Sequence, residues 1–207
     1  MRVAVVDHGL CNIDSVVRAF EHCGAADVAV AHHPADLSRA TRVVLPGVGA
    51  FPAAMKSLHA SGMSDGLHAA VADRGIPVLG ICLGMQLMCA VGTEHETTPG
   101  LGWVDARVER LRARDDERLP HVGWNEATFE TTNPMFASIE PHTDFYFVHS
   151  YHVVLSGTGA DVATTSFAGE FVSAFHLDNL WGAQFHPEKS QSAGFQLIRN
   201  FLSTGTS

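Results

Sequence analysis

The sequence predicts an α/β fold: an open, mostly parallel sheet flanked by helices, with antiparallel strands added in the C-terminal half, as a single domain over 1–207. Three observations predict it. Short, continuous apolar runs alternate with helical periodicity through the first half, the pattern of buried parallel strands joined by crossover helices. Two of those runs lead straight into glycine-rich turns. The second half carries strand-like runs too closely spaced for helices between them, which points to antiparallel additions.

The elements follow in order. Val3 to Val6 is an apolar run ending at Asp7-His8-Gly9. Ile13, Val16, Val17 and Phe20 recur at helical spacing, and Gly24 closes that helix. Val28 to Ala31, Arg42 to Leu45 and Pro77 to Ile81 read as further strands. Helices are expected from Ala50 to Leu58, Ser64 to Asp73 and Leu83 to Val91, and right-handed crossovers in this order give a doubly wound sheet. Phe145 to Val148, Ala160 to Thr165, Phe171 to Phe175 and Trp181 to Phe185 are the closely spaced runs. A last helix is expected from Ser192 to Leu202, with Phe195, Ile198 and Leu202 on its buried face, and the polar segment Ala113 to Leu119 reads as a loop.

Bulk properties exclude several classes. A formal charge of -9 argues against a nucleic-acid surface. No two of Cys11, Cys23, Cys82 and Cys89 have the Cys-x-x-Cys spacing of a zinc site or redox dithiol, so no metal is expected. The first residues do not form a signal peptide, and the apolar stretch Val78 to Val91 is too short to span a bilayer. A cytoplasmic protein with reduced thiols is the simplest reading.

Two motifs carry chemistry. Gly80-Ile81-Cys82-Leu83-Gly84-Met85-Gln86 follows an apolar strand and opens an apolar helix. Small residues flanking the cysteine allow the tight strand-to-helix turn that exposes a nucleophile, and a helix N-terminus favours thiolate. An isolated cysteine is more often a buried structural one, which is how Cys89 reads. Downstream, His186-Pro187-Glu188 sets an imidazole and a carboxylate two positions apart, on one side of an extended chain. A catalytic histidine needs such an acceptor to hold its tautomer. On spacing alone the pair could equally be a surface histidine and a capping glutamate.

Together these motifs resemble those of class I (triad) glutamine amidotransferases. Pro46-Gly47-Val48-Gly49-Ala50-Phe51, Pro120-His121-Val122-Gly123-Trp124-Asn125, Tyr146-Phe147-Val148-His149-Ser150-Tyr151 and His186-Pro187-Glu188-Lys189-Ser190 narrow the resemblance to the glutaminase subunits of imidazole glycerol phosphate synthases, across essentially the whole chain. The resemblance implies a Cys82–His186–Glu188 triad that hydrolyses L-glutamine without a cofactor. It implies an oxyanion loop at Gly47, Val48 and Gly49 acting with the amide of Leu83, although those glycines could mark an ordinary turn. It further implies substrate contacts at Gln86, Ser150, Tyr151 and Glu94, with Glu96 as the alternative acid. Tyr146, Lys189, Asn12 and Trp124 would meet a cyclase subunit, a (β/α)8 barrel, in a heterodimer. The first loop, Asp7-His8-Gly9-Leu10-Cys11-Asn12, departs from the family's usual Asp-Tyr-Gly-x-Gly-Asn, and Asp14 replaces a frequent basic residue. Other readings are a glutaminase of the pyridoxal phosphate or anthranilate type, a stand-alone thiol hydrolase, or a catalytically silent binding module.

Overall fold

The computed structural model describes residues 1–114, 118–157 and 159–204, so residues 115–117 of the polar loop lie outside the described residues. The first half runs β1 (Val3–Val6), α1 (Ile13–His22), β2 (Val28–Ala31), a 3-10 turn (Pro34–Arg39), β3 (Arg42–Gly47), α2 (Phe51–Ala60), α3 (Met63–Leu67), β4 (Val78–Cys82) and α4 (Leu83–Leu87). Helix α3 continues into a wider π turn over His68–Asp73, so the expected helix from Ser64 to Asp73 is present with a change of winding. The second half runs β5 (Cys89–Gly92), β6 (Thr98–Pro99), β7 (Val104–Arg110), β8 (His121–Phe129), β9 (Thr143–His149), β10 (Tyr151–Leu155), β11 (Asp161–Ser166), β12 (Glu170–Leu177), β13 (Leu180–Ala183) and α5 (Gln191–Ser203).

These strands form one branched sheet in the order β2-β1-β3-β4-β13-β12-β10-β7-β5-β6, with β11, β8 and β9 branching from β12. The five strands from β2 to β13 are parallel to one another. Strand β13 was expected among the antiparallel additions. It pairs antiparallel with β12 and parallel with β4, and so joins the two halves.

Period-two alternation sorts the core. Ala4, Val6, Val43, Leu45 and Val78 face α2, α3 and α4 with Phe51, Leu58, Leu67 and Met85. Val3, Val5, Val44, Leu79 and Ile81 face the opposite layer of α1 and α5, with Phe20, Trp181, Leu197 and Phe201. Covered on both faces, the central strands can be continuously apolar. Arg42 is buried and ties the sheet to the end of α5, donating from Nε to the Phe201 carbonyl and from Nη2 to that of Leu202. On α5, Ile198 and Leu202 are buried as expected, whereas Phe195 is half-buried because it lies at the edge of the layer against the His22 ring.

The expected helix from Leu83 to Val91 ends at Leu87. An incoming segment captures the carbonyls that would have continued it. Leu101 donates its N–H to Leu87, Trp103 and Val104 donate to Met88, and Gly102 donates to Cys89. The chain therefore leaves as β5, beside β7. A five-residue α4 adds little macrodipole at Cys82, so that part of the thiolate expectation is weakened. Among the described residues, no helix is long and apolar enough to cross a membrane.

Close packing under α4 fixes its position. A Cβ placed on Gly84 would sit 1.6 Å from the Leu45 carbonyl oxygen, and one on Gly80 would sit 2.7 Å from the Met85 nitrogen. Gly84→Ala should therefore destabilise the chain by about 1–3 kcal/mol or more through overpacking against backbone. Gly157→Ala, with nothing within 4 Å of the added carbon, should stay close to the parent. Chemical denaturation of the two variants checks this. Equal stability of both would contradict the packing account.

Candidate active site

The parallel strands β3, β4 and β13 end side by side, with Gly47 paired to Cys82 and Ala183 to Ile81. Ligands in open α/β sheets bind at such carboxyl ends. Cys82 closes β4 with φ 54° and ψ -109°. Positive φ in a non-glycine residue is strained, and here it turns the sulfur out of the sheet between two glycine-lined flanks. A cavity of about 190 Å³ opens over it, lined by Val48, Gly49, Leu83, Gln86, Glu94, Val148, His149, Ser150 and Tyr151. That volume suits a small metabolite and falls below the range of drug-sized ligands.

His186 and Glu188 meet here by a different route from the one expected. Strand β13 stops at Ala183, so alternation along a strand does not align them. A 3-10 turn over Pro187–Lys189 curls Glu188 back instead, and His186 Nδ1 donates to Glu188 Oε1 at 2.7 Å. Both side chains are almost wholly buried. The turn is pinned to β9: the His186 N–H donates to the Tyr146 carbonyl, and Ser190 Oγ accepts the Tyr146 N–H and donates to the His186 carbonyl. Among the described residues, the buried His186 Nε2 has no hydrogen-bond partner. Burial lowers the imidazole pKa, but the Cys82 sulfur and the Glu188 carboxylate outweigh it and raise the ring above its ordinary value. The other thiols are poorly suited to ionise. Burial pushes Cys89 up to about 12 and Cys11 to about 11, and it also raises Cys23.

The remaining expected residues divide. Glu94 lines the cavity, where its Oε2 also accepts the N–H of Phe51 at the start of α2. Glu96 lines a neighbouring groove with Lys56 and His59, so geometry favours Glu94 of the two acids. Gly47 lies under Leu83 rather than in the cavity. Val48 and Gly49 line the cavity, with Gly49 in the left-handed region at φ 94°, but the Val48 N–H donates to the Leu10 carbonyl at 2.8 Å. Trp124, Tyr146 and Lys189 form one surface cluster, with the Lys189 ammonium 5.8 Å from the Tyr146 ring centre and the Trp124 ring 5.9 Å away from it. Asn12 is exposed at the start of α1.

Three participants escaped the sequence reading. The first loop clasps the Pro46–Gly49 segment: buried His8 donates from Nε2 to the Pro46 carbonyl at 2.8 Å, beside the Leu10 contact. His121 and His149 form a buried pair at 3.1 Å. His149 Nδ1 must donate to the Tyr151 carbonyl, so its Nε2 accepts from His121 Nδ1, and Asn125 supplies His121 Nε2 at 3.4 Å. Third, Gln184 Nε2 lies 3.6 Å from Cys82 Sγ. Gln184 carried a legible signal, standing two positions before His186, and His8 stood out as a departure from the family's first loop. Among the described residues, no group of three or more His, Cys, Asp or Glu is disposed to hold a metal ion.

The histidine pair makes stability depend on acid. Burial lowers the pKa of His121 to about 4 and that of His149 to about 3, from an ordinary 6.5. Between those limits the unfolded chain takes up protons that the folded chain refuses. The pair's contribution is therefore full above pH 6.5 and falls as pH drops, by about 1 kcal/mol per pH unit for each group. The raised pKa of His186 adds no slope there, because its contribution is complete below 6.5. Denaturation midpoints measured from neutrality down to about pH 4 should fall steeply, and more gently in His121→Phe; equal profiles would contradict the assignment.

The chain matches the family Glutamine amidotransferase class-I over residues 4–204. It is 41% identical to imidazole glycerol phosphate synthase subunit HisH of Cereibacter sphaeroides, across 98% of each chain. It is also 41% identical to imidazole glycerol phosphate synthase subunit HisH 2 of Vibrio vulnificus, across 98% of this chain and 94% of that one. A crystal structure of a glutamine amidotransferase shares the fold, with a TM-score of 0.76 at 18% identity over 98% of this chain and 97% of its own. The chain belongs to the class-I glutamine amidotransferase family.

Proposed function

We propose that the chain is the glutaminase subunit of an imidazole glycerol phosphate synthase in histidine biosynthesis. It would hydrolyse L-glutamine and pass ammonia to a cyclase subunit that forms imidazole glycerol phosphate and AICAR from PRFAR. The observation that carries this reading is the strained Cys82 beside a His186 held by Glu188, in a cavity of amino-acid size.

Cys82 thiolate attacks the carboxamide carbon, and the carbonyl electrons move onto oxygen. His186, as imidazolium, gives its Nε2 proton to the departing ammonia, leaving a glutamyl thioester on Cys82. His186 then takes a proton from water, which attacks the thioester and releases glutamate and thiolate. Glu188 holds the imidazole with Nε2 toward the sulfur and stabilises its charged form. Glu94 meets the substrate ammonium, while Gln86 and the backbone of Ser150 and Tyr151 line the rest of the cavity.

The oxyanion is held by the Leu83 amide and by an N–H from the Pro46–Gly49 loop. With the Val48 N–H bonded to the Leu10 carbonyl, that donor is turned away from the cavity, which supports a resting state. Rotating the Gly47–Val48 peptide would release it. The partner, a (β/α)8 barrel in a heterodimer, would dock on Trp124, Tyr146 and Lys189 and favour the released state by differential affinity.

Glutamine hydrolysis measured on the chain alone, with the cyclase subunit, and with the cyclase subunit plus its ligand should rise in that order. Equal rates would remove the gating step. Within the activated complex, Cys82→Ala should lose about 10³-fold or more, and Glu188→Gln should lose less, by one to two orders of magnitude. Normal turnover in Cys82→Ala would remove the proposal.

A further inference from the structure

Gln184 is fully buried, yet its amide nitrogen faces the one sulfur at the mouth of the cavity, 3.6 Å from Cys82 Sγ. Which end of a glutamine amide faces a neighbour is decided by the hydrogen bonds around it. Here a backbone carbonyl decides it. The Tyr151 carbonyl can only accept, so the Gln86 group beside it at 2.9 Å is the amide nitrogen, donating. The same Gln86 nitrogen lies 3.0 Å from Gln184, so the Gln184 atom there is the oxygen, accepting. That leaves the Gln184 Nε2–H pointing at the sulfur. Donation therefore diverges from the Gln86 amide nitrogen, to the Tyr151 carbonyl on one side and through Gln184 to Cys82 on the other.

The Val148 carbonyl opposes a charged sulfur. As a thiol, Cys82 donates to the Val148 carbonyl at 3.8 Å, and that carbonyl dipole disfavours a negative sulfur. A hydrogen bond donated to the charged form does the reverse. Around the cavity the titratable groups are His186, with Glu188 behind it, and His149, Glu94 and Tyr151. Of these, only His186 as imidazolium offsets a thiolate. We propose that Gln184 is a further catalytic residue: it donates an amide N–H to the Cys82 thiolate, stabilises it against the Val148 carbonyl, and holds it in place for attack, with Gln86 as the residue that orients Gln184.

This rests on the reading of Cys82 as the nucleophile, but it is tested without glutamine. The full-length chain is alkylated with iodoacetamide across roughly pH 5 to 10, and modification of the peptide containing Cys82 is followed by mass spectrometry. Gln184→Met keeps the volume and removes the donor. Its inflection should move up by about one pH unit, so that Cys82 alkylates about tenfold more slowly at pH values below the inflection. A residue that only packed would change thermal stability and leave the inflection where it was. An unmoved inflection in folded Gln184→Met overturns the proposal. If that variant lacks the parent's cooperative melting transition, Gln184→Glu decides. It keeps the shape and the acceptor for Gln86 while placing a carboxylate beside the sulfur, and an unmoved inflection there overturns the proposal. Inactivity toward glutamine alongside the expected shift would count against the proposed substrate and leave this role intact.

Discussion

Everything in the site depends on a single backbone conformation, Cys82 at φ 54° and ψ -109°. That residue takes the chain from strand to helix in one step and leaves no room for side chains beneath it. Gly84 rests on the Leu45 carbonyl and Gly80 on the backbone of Met85, so the strain at Cys82 is held by contacts that any larger residue would break. The cost of the strained residue is spread over a core in which β3, β4 and β13 are buried on both faces. Because β3 and β13 end on either side of the elbow, the loop after each is delivered to the sulfur. One loop carries Val48 and Gly49; the other carries Gln184 and His186.

Hydrogen-bond direction is the second organising constraint. Two routes converge on the Tyr151 carbonyl, one from Asn125 through His121 and His149, the other from Gln86. Because a carbonyl cannot donate, it fixes both histidine tautomers on the first route and both amide orientations on the second. The order of these side chains follows from one backbone atom. The first loop imposes a comparable constraint on the other side of the cavity, where His8 and Leu10 hold Pro46 and Val48.

What could be read beforehand was what local pattern encodes. Apolar runs marked β1 to β4, and the Gly80–Gly84 string marked the elbow, because period and tight turns are properties of neighbouring residues. The end of α4 was illegible: its cause is a segment from 100 to 104 that takes the helix carbonyls, and no pattern within 83–91 announces it. Strands β7 and β8 were missed because their buried positions alternate with polar residues that resemble loops, and β10 because only Val153 of its five residues is buried. The His186–Glu188 pairing was expected from extended geometry and is made by a turn, so the contact holds for a different reason. In the sequence the first loop stood out only as a departure from the family's usual string, with no role attached to its residues. In the fold, His8 and Leu10 grip the Pro46–Gly49 segment from across 38 positions.

The central claim is that Cys82 carries the substrate covalently. The most direct measurement is acid quenching of the partner-activated complex during steady turnover of glutamine, followed by mass analysis of this chain and its peptides. The account predicts a fraction of the chain heavier by one glutamyl group, located on the Cys82 peptide and removed by hydroxylamine, as a thioester must be. An adduct on Cys11, Cys23 or Cys89, or steady turnover in which the chain never gains mass while water is the slow reactant, shown by hydroxylamine raising the rate of glutamine consumption, would contradict it.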